Sequence, residues 1–422
     1  MRFSQTLLQA ITGFAAVASA LPASTSGETK KYLVKLKSSL DADLTAHTKW
    51  VSEVHSRSLS RRGGETAGVE KQFSFPGYQG YAGSFDEETL EAIRASPEVA
   101  EVEPELVVST LETISQENAP WALSIISNAN PPSSSSAYHY DSSAGEGSFI
   151  YVFDSGILLD HADFEGRAVA GYTGSDPTDL EHGTGVASMA GGATFGVAKK
   201  ATLVNVQVMG SASGSTTTIV DGMTWTVNDI VSKNRVGKSV INMSLSTPTT
   251  SKVLNDAVQA AIDNGIPVVA AAGNSNEDSV NTSPANQPNA IAVAACNKNY
   301  QRWAYSNWGS TVDIFAPGQE VTVASATGTN ASRISSGTSE AAPVVAGVVA
   351  YLLALEGPRT PAEIKTRLEE LAIKDKITDT KEVPNLLLYN GIGSRGQFSG
   401  VQPLPRLCNY SPLLIEVLFQ FI

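Results

Sequence analysis

Short apolar runs alternate with longer amphipathic stretches along the chain from residue 149 onward. The apolar runs cover residues 150–153, 203–208, 240–244, 267–271 and 290–295. Each run is too short for a helix and is typical of a strand buried on both faces. Apolar residues recur at helical spacing in 219–231 and 251–264. This alternation predicts an α/β fold in which a parallel sheet carries helices on both faces.

The functional site of such a sheet lies beyond the carboxyl ends of its strands. Asp154, Ser244 and Asn274 come at or just after the ends of three of the apolar runs. We therefore expect these three side chains to lie close to the site.

The segment 30–111 has a different pattern, which predicts a separate small α+β domain. Its predicted elements are a strand at 32–36, a polar helix at 41–56, a hairpin at 73–85, a helix beginning after Asp86 and a strand at 99–108. Arg61-Arg62-Gly63-Gly64 is expected to break the helical pattern. The β-α-β-β-α-β order is that of the split βαβ, or ferredoxin-like, arrangement.

Both ends of the chain are expected to lie outside these two domains. Residues 1–20 combine Arg2, an apolar stretch at 7–17 and Ala18-Ser19-Ala20, which is typical of a cleaved secretory signal. The apolar stretch is too short for a membrane anchor. The tail at 395–422 contains three prolines and an apolar end that is also too short to span a membrane, and the sequence leaves its role open.

Composition and charge narrow the class of protein. The length of 422 residues, with 42% hydrophobic and 17% charged residues, is typical of a folded protein of two domains. A net charge of −13 disfavours nucleic acid and anionic membranes as partners. There are two cysteines. Cys296 follows an apolar run and is expected to be buried, and its pairing with Cys408 stays open.

Four short motifs carry the groups of a serine hydrolase, in the order acid, base, amide donor and nucleophile. They are Asp154-Ser155-Gly156-Ile157, His182-Gly183-Thr184-Gly185, Ala271-Ala272-Gly273-Asn274 and Gly337-Thr338-Ser339-Glu340-Ala341-Ala342-Pro343. A histidine titrates near neutrality and suits a general base, which Asp154 would orient. Asn274 would donate its amide to an oxyanion, and Ser339 would attack from the start of a helix.

Each of these residues alone has a plainer interpretation. Asp154 and Asn274 fit turns after strands, and His182 fits a packed structural histidine. Ser339 fits a helix N-cap. Only the combination of the four motifs favours catalysis over these alternatives.

The four motifs together resemble those of the subtilisins, in particular the secreted fungal branch similar to proteinase K. The likeness extends from about residue 30 to 393 and includes Ala119-Pro120-Trp121, Tyr151-Val152-Phe153, Phe195-Gly196-Val197-Ala198-Lys199-Lys200, Ile241-Asn242-Met243-Ser244-Leu245 and Asp313-Ile314-Phe315-Ala316-Pro317-Gly318. The resemblance implies a secreted serine endopeptidase with a catalytic domain at 112–394. It also implies that residues 30–111 are an inhibitory propeptide, removed by cleavage near Leu111 to leave Glu112 as the new N-terminus. The alternative is that residues 30–111 remain as a permanent regulatory or binding domain.

The resemblance also implies the substrate site and a metal site. A protein or peptide substrate would lie extended between two edges formed by Ala212, Ser213, Gly214, Ser244, Leu245 and Ser246. A structural calcium ion would be held by the carbonyls of Pro288 and Ala290 and by the carboxylate of Asp313, since oxygen ligands suit calcium. The chemistry itself would need no cofactor. The chain's own propeptide is the second expected partner, and we expect a monomer.

Three changes near the motifs, which involve four positions, depart from the family pattern. Glu340 stands where the family has methionine after the serine. This carboxylate would either raise the pKa of His182 or take over its hydrogen bond, and both effects slow attack at neutral pH. Ser246 and Thr247 replace two glycines, which predicts a narrower pocket that disfavours large aromatic side chains. Gly185 stands where the family has histidine, and it is expected to affect helix stability alone.

Two other functions remain open from the sequence. The fold would serve in binding or inhibition if the changes around Ser339 have removed the activity. Alternatively, the same triad would act as an esterase or pass the acyl group to an acceptor other than water. Asn281-Thr282-Ser283, Asn330-Ala331-Ser332 and Asn409-Tyr410-Ser411 fit the glycosylation pattern, whereas Asn242 is expected to be buried in a strand.

Overall fold

The computed structural model describes residues 30–37, 43–62, 67–105, 112–128, 137–174, 179–210 and 213–392. The chain divides into two compact units, residues 1–110 and 111–422. The predicted signal segment, the tail at 395–422 and Cys408 lie outside the described residues.

The first unit is a four-stranded antiparallel sheet with two helices. Its elements are β1 (Lys30–Leu36), α1 (Leu44–Arg62), β2 (Gly68–Phe75), β3 (Tyr78–Phe85), α2 (Glu87–Ala95) and β4 (Val99–Pro104). The strand order is β2-β3-β1-β4. The core contains Val34, Leu36, Tyr81, Leu90 and Ile93. This is the predicted β-α-β-β-α-β order, so the ferredoxin-like prediction is confirmed.

The boundaries of the helices in this unit follow from local side chains. Asp86 caps α2 by accepting a hydrogen bond from the main-chain N–H of Thr89, which fits the predicted helix start. Helix α1 extends beyond the predicted end at residue 56 and ends at Arg62, inside the Arg61-Arg62-Gly63-Gly64 segment that was predicted to break the helical pattern. Arginine is a good helix former, and Arg61 also pairs with Glu88 at 3.3 Å.

The second unit is built on a nine-stranded sheet. Its elements are β5 (Thr113–Gln116), α3 (Trp121–Ser124), β6 (Tyr138–Asp141), β7 (Phe149–Asp154), β8 (Ala168–Thr173), α4 (Glu181–Gly191), β9 (Thr202–Gln207), α5 (Thr216–Ser232), β10 (Ser239–Met243), α6 (Lys252–Asp263), β11 (Val268–Ala271), β12 (Ile291–Cys296), β13 (Ile314–Pro317), β14 (Val321–Ser325), β15 (Ala331–Ser335), α7 (Thr338–Glu356), α8 (Pro361–Leu371), β16 (Ile373–Lys374) and β17 (Leu386–Leu387). The sheet order is β16-β17-β13-β12-β11-β10-β7-β9-β8, in which β16 and β17 pair antiparallel and all other neighbours are parallel. Two smaller pairs, β5 with β6 and β14 with β15, lie outside this sheet.

The central strands are apolar throughout because they bury both faces. Ile150 and Val152 of β7 join one core with side chains of α4 and α7. The alternate residues Tyr151 and Phe153 join a second core with side chains of α5 and α6. Successive side chains of a strand point to opposite faces. A strand that is covered on both faces therefore has an apolar residue at nearly every position of its sequence. The predicted parallel sheet with helices on both faces is confirmed.

The topology fixes where a site can form. Strand β7 lies between β9 and β10, so the chain leaves β7 toward one edge of the sheet and returns to the other side. Loops diverge at such a switch point and open a crevice at the carboxyl ends of the strands. Asp154 ends β7, and Ser244 and Asn274 come shortly after β10 and β11.

Helix α7 is the central helix of the second unit. Among the described helices it is the one long and apolar enough to cross a membrane, and 83% of that stretch is buried in the protein core. Cys296, at the end of β12, is a buried free thiol, and burial raises its pKa to about 12. Its burial agrees with the sequence analysis.

Candidate active site

Asp154 and His182 form a hydrogen-bonded acid and base pair at the end of β7. His182 Nδ1 lies 2.7 Å from Asp154 Oδ1, and the Asp154 carboxylate is fully buried. The same oxygen accepts a hydrogen bond of 2.7 Å from the main-chain N–H of Ser155. Because Nδ1 donates to the carboxylate, Nε2 of the neutral imidazole is left as an acceptor. The predicted acid and base are therefore brought together.

A glycine lets the histidine helix approach the aspartate loop. A side chain at Gly183 would place its Cβ 2.2 Å from the carbonyl oxygen of Gly156, a distance that packed atoms do not tolerate. Gly183 N also donates to Ser155 Oγ at 3.2 Å. The glycine after the histidine is therefore required for the close approach of α4 to the end of β7.

The surroundings of His182 favour its charged form. The negative charge of Asp154 is the main cause, and it raises the pKa of His182 to about 9. Burial opposes this shift, while the hydrogen bond to Asp154 and the charge of Glu340 add to it. The positive charge of Arg333 lowers the pKa of His182. The imidazole is consequently a base that becomes fully available only at alkaline pH.

Ser339 is the second residue of α7, where the first main-chain N–H groups have no partner within the helix. Its Oγ donates a hydrogen bond of 3.3 Å to the main-chain carbonyl of Ser244. Ser244 Oγ in turn donates to the carbonyl of Ser339 at 2.7 Å. These two reciprocal bonds join the end of β10 to the start of α7. They hold Ser339 against one of the two predicted substrate edges.

Thr338 fixes the amide of Asn274. The side-chain oxygen of Asn274 accepts hydrogen bonds from the main-chain N–H of Thr338 at 2.9 Å and from its hydroxyl at 2.8 Å. The Thr338 hydroxyl also accepts from the N–H of Gly273 at 3.1 Å. With both of these donors on its oxygen, Asn274 presents its NH₂ group beside the Gly337-Thr338 turn. A Cβ at Gly337 would lie 2.6 Å from Glu340 Oε2 and 3.3 Å from that nitrogen, so this glycine leaves room for both side chains.

Glu340 is buried beside the nucleophile turn, and its Oε1 accepts a hydrogen bond of 2.6 Å from Ser335 Oγ. The hydrogen bond of His182 stays with Asp154. Of the two effects left open by the sequence, the structure therefore favours the electrostatic one. Glu340 raises the pKa of His182 without displacing its partner.

Gly185 has a role that the sequence analysis did not predict. A Cβ at this position would lie 3.1 Å from Val323 and 3.3 Å from a guanidinium nitrogen of Arg333. Arg333 Nε pairs with Glu181 at 2.7 Å, and Glu181 also accepts from the main-chain N–H of Ala326 at 2.7 Å. The expectation that Gly185 affects helix stability alone is thus incomplete. Its missing side chain also leaves space for the arginine that lowers the pKa of His182.

The two predicted substrate edges are partly described. Ala212 lies outside the described residues, while Ser213 and Gly214 are exposed and follow β9. The main-chain N–H groups of Val208 and Met209 donate to the carbonyl of Asp154 at 3.0 and 3.2 Å. The end of β9 and the residues that follow it, which precede the first edge in the chain, therefore lie beside the predicted acid.

The second edge starts at Ser244 and continues through buried Leu245 to exposed Ser246. Thr247 ties this edge to the neighbouring loop. Its hydroxyl donates to the carbonyl of Thr249 at 2.7 Å and accepts from the N–H of Ser283 at 3.2 Å. The threonine thus makes a lateral link that glycine cannot make.

The predicted calcium ligands come together, but a lysine ammonium group lies between them in the place expected for the metal ion. The carbonyls of Pro288 and Ala290 accept hydrogen bonds of 2.9 and 3.0 Å from Lys365 Nζ. Asp313 Oδ1 lies 2.9 Å from the same ammonium nitrogen. All three oxygens share a cation that belongs to the chain itself. In addition, no cluster of three or more His, Cys, Asp or Glu side chains suited to a metal occurs among the described residues.

The sequence did not predict a functional role for four residues of this region: Thr338, Ser335, Arg333 and Lys365. Thr338 could have been predicted, because it lies inside a recognised motif and its hydroxyl can form hydrogen bonds. The other three act through partners that are distant in the sequence or lie on another element. Their roles became visible only with the fold.

Comparisons with known proteins agree with this geometry. The family model described as "Subtilase family" matches residues 145–393, and the model described as "Peptidase inhibitor I9" matches residues 31–111. Alkaline protease 1 of Emericella nidulans is 46% identical over 369 residues, which covers 86% of this chain and 91% of that protein. The alkaline proteinase of Hapsidospora chrysogena is 43% identical over 379 residues, covering 86% and 92%.

A solved structure described as a cold adapted subtilisin-like serine proteinase is 38% identical. It matches with a TM-score of 0.60 and covers 65% of this chain and 99% of that chain. Family, relatives and fold therefore agree: the chain belongs to the subtilase family and is a serine endopeptidase that carries a peptidase inhibitor I9 domain before its catalytic domain.

Proposed function

We propose that the chain is a secreted endopeptidase, made as a self-processed zymogen, which hydrolyses peptide bonds through an acyl-enzyme on Ser339. The observation that carries this proposal is the 2.7 Å hydrogen bond that joins His182 Nδ1 to the buried Asp154 carboxylate. It leaves the imidazole with the tautomer that a serine nucleophile needs.

In the first step, the Ser339 hydroxyl turns from the Ser244 carbonyl toward His182. Its Oγ attacks the carbonyl carbon of the scissile peptide bond, and its proton passes to His182 Nε2. The Asp154 carboxylate stabilises the imidazolium that forms. The imidazolium then gives the proton to the leaving amine as the carbon–nitrogen bond breaks.

In the second step, water attacks the acyl-enzyme and loses a proton to His182. The ester bond to Ser339 breaks, and the serine recovers its proton from the imidazolium. The oxyanion of both steps would be stabilised by the Asn274 amide and by main-chain N–H groups at the start of α7. Loss of one such side-chain donor lowers kcat by about 10²–10³-fold, a magnitude known from a subtilisin.

The substrate would lie extended between the edge at Ser213 and Gly214 and the edge at Ser244, Leu245 and Ser246. Main-chain pairing gives affinity in this mode of binding, and side-chain pockets give preference. Thr247 supports the narrow pocket that the sequence predicts, because a threonine adds bulk to an edge that the Ser283 loop holds in place. Small residues on the acyl side of the scissile bond are the expected preference.

The inhibitor domain at 31–111 supports synthesis as a zymogen. Strand β5 begins at Thr113, and the carbonyl of Glu112 accepts from the N–H of Ser142 at 2.9 Å within the second unit. Cleavage after Leu111 would therefore leave the new N-terminus anchored in the catalytic unit. The secretory pattern at residues 1–20 supports an extracellular location.

An intact-mass measurement on the secreted protein, before and after phenylmethylsulfonyl fluoride, tests the proposal. We expect a species that starts near Glu112 and gains one sulfonyl adduct. The Ser339→Ala variant should remain uncleaved and gain none. An uncleaved parent protein without an adduct would contradict the proposal and favour the binding or inhibitory alternative. An adduct and ester hydrolysis without digestion of casein would favour the acyl-transfer or esterase alternative.

A further inference from the structure

Lys365 occupies the point where the resemblance placed a calcium ion. This lysine lies on α8, and its ammonium group contacts two main-chain carbonyls and one carboxylate at 2.9–3.0 Å. The ammonium therefore has three oxygen partners for its three hydrogens. Pro288 lies 77 residues and Ala290 75 residues from Lys365 in the sequence.

The carboxylate partner is also held on its other oxygen. Asp313 Oδ2 accepts a hydrogen bond of 2.9 Å from the main-chain N–H of Ala292, so both oxygens of Asp313 are engaged. The Asp313 side chain is 20% exposed, so its carboxylate is largely withdrawn from water. A buried charge of this kind is stabilised by a nearby cation, and removal of that cation would leave the charge without compensation.

The location is structural and lies away from the chemistry. Ala290 comes just before β12, and Asp313 just before β13. In a parallel sheet all amino ends of the strands lie on one side and all carboxyl ends on the opposite side. Asp154, Ser244 and Asn274 are found at the carboxyl ends, so Lys365 and its partners lie on the other side. The contacts of Lys365 join α8 to the starts of two neighbouring strands.

We propose that Lys365 is the resident cation of this site and that it makes the stability of the site independent of calcium. A bound ion leaves the protein when a chelator lowers its free concentration. An ammonium group tethered to a helix cannot be removed in this way. The three oxygens thus form a cation site that the chain fills by itself.

Thermal unfolding of the full-length Ser339→Ala protein tests this proposal without self-digestion. We expect the same Tm within about 1 °C in EDTA and in millimolar calcium chloride. Adding Lys365→Ala should lower the Tm in EDTA by about 5–10 °C, because it leaves a partly buried carboxylate without its cation. Calcium chloride should restore at least half of this loss in the Lys365→Ala protein, since the three oxygens then become available to the metal.

Lys252→Ala is the matched control. Lys252 also pairs with a carboxylate, Asp256, at 2.7 Å, but it is largely exposed, so its removal should change the Tm by less than about 1 °C in both solutions. If Lys365→Ala does not fold, Lys365→Gln keeps an amide donor for the carbonyls and should show a smaller loss with the same calcium rescue.

Three results would overturn the proposal. The first is a Ser339→Ala protein whose Tm is lower in EDTA than in calcium chloride by as much as the Tm of the Lys365→Ala protein is. The second is a Lys365 variant with an unchanged Tm in EDTA. The third is a destabilised variant that calcium does not rescue, because the oxygens would then not form a cation site.

Discussion

Replacing Glu340 with glutamine should move the activity of the enzyme toward lower pH. The variant removes the negative charge but keeps an oxygen that can accept the hydrogen bond from Ser335, which is 2.6 Å long in the parent protein. The charge of Glu340 is one of the causes that raise the pKa of His182 to about 9 from its ordinary value of 6.5. Without this charge, the neutral and catalytically competent imidazole should form at a lower pH.

The size of the effect is limited by the order of the causes. Glu340 contributes less than the charge of Asp154 and less than the hydrogen bond to Asp154. We assign this secondary charge roughly 1 kcal/mol, the Coulomb energy of two unit charges roughly 4 Å apart in bulk water or further apart in a less polar medium. An interaction of 1.36 kcal/mol corresponds to one pH unit. The midpoint of the acid limb in the pH profile of kcat/KM should therefore fall by about 0.7 of a pH unit.

The assay is kcat/KM for a chromogenic peptide from about pH 6 to pH 11, because kcat/KM reports the titration of the free enzyme. The Tm should stay within about 2 °C of the parent value. This result would show that the variant changes the charge beside His182 and not the stability of the fold. Glu146→Gln is the control, since Glu146 lies before the amino end of β7 and pairs with Lys200 at the surface. Its acid limb should coincide with that of the parent.

A change of opposite sign provides a second check on the same reasoning. Arg333 lowers the pKa of His182, so Arg333→Gln should move the acid limb to higher pH. If Glu340→Gln leaves the midpoint within about 0.2 of the parent, or if both variants move it in the same direction, the electrostatic account of Glu340 is refuted.

Two further predictions concern the oxyanion donor and the substrate pocket. Thr338→Val removes the hydroxyl that donates to Asn274 at 2.8 Å and accepts from Gly273 N at 3.1 Å. Because the Asn274 amide is then held less firmly, kcat should fall about 10-fold with KM nearly unchanged. A change confined to KM would contradict this positioning role. Thr247→Gly removes the side-chain hydrogen bond to Ser283 and some bulk, while the main-chain bond to Ser283 stays. A peptide-library profile should therefore shift about 10-fold toward Phe and Tyr on the acyl side of the cleaved bond. A parent enzyme that already prefers Phe or Tyr there would refute the narrow pocket.

Much of the fold could be predicted because local patterns decide it. The continuous apolar runs of β7 and β10 are explained by burial on both faces, and Asp86 capped α2 where the sequence placed a helix start. The ends of α1 were less well predicted, because the helix was expected at 41–56, whereas it runs from Leu44 to Arg62 and ends inside the Arg61-Arg62-Gly63-Gly64 segment. Such boundaries depend on small differences in local free energy.

The candidate catalytic groups could also be named from the sequence, since each stands in a short motif near the end of a strand or the start of a helix. The parallel topology predicts that Asp154, Ser244 and Asn274, which follow three strands, lie at the carboxyl ends of the sheet. The 2.7 Å contact between Asp154 and His182 brings the predicted acid and base together.

The sequence by itself determined the two domains, the sheet with its two helical layers, and the set of side chains at the site. The tertiary structure alone decided which partner each charged group finds. Glu340 binds Ser335 and leaves the hydrogen bond of His182 intact, Arg333 enters the space that Gly185 leaves, and Lys365 reaches the oxygens assigned to calcium. Periodicity fixes the face on which a residue lies, but the partner of a long charged side chain depends on elements that folding brings together from distant parts of the chain.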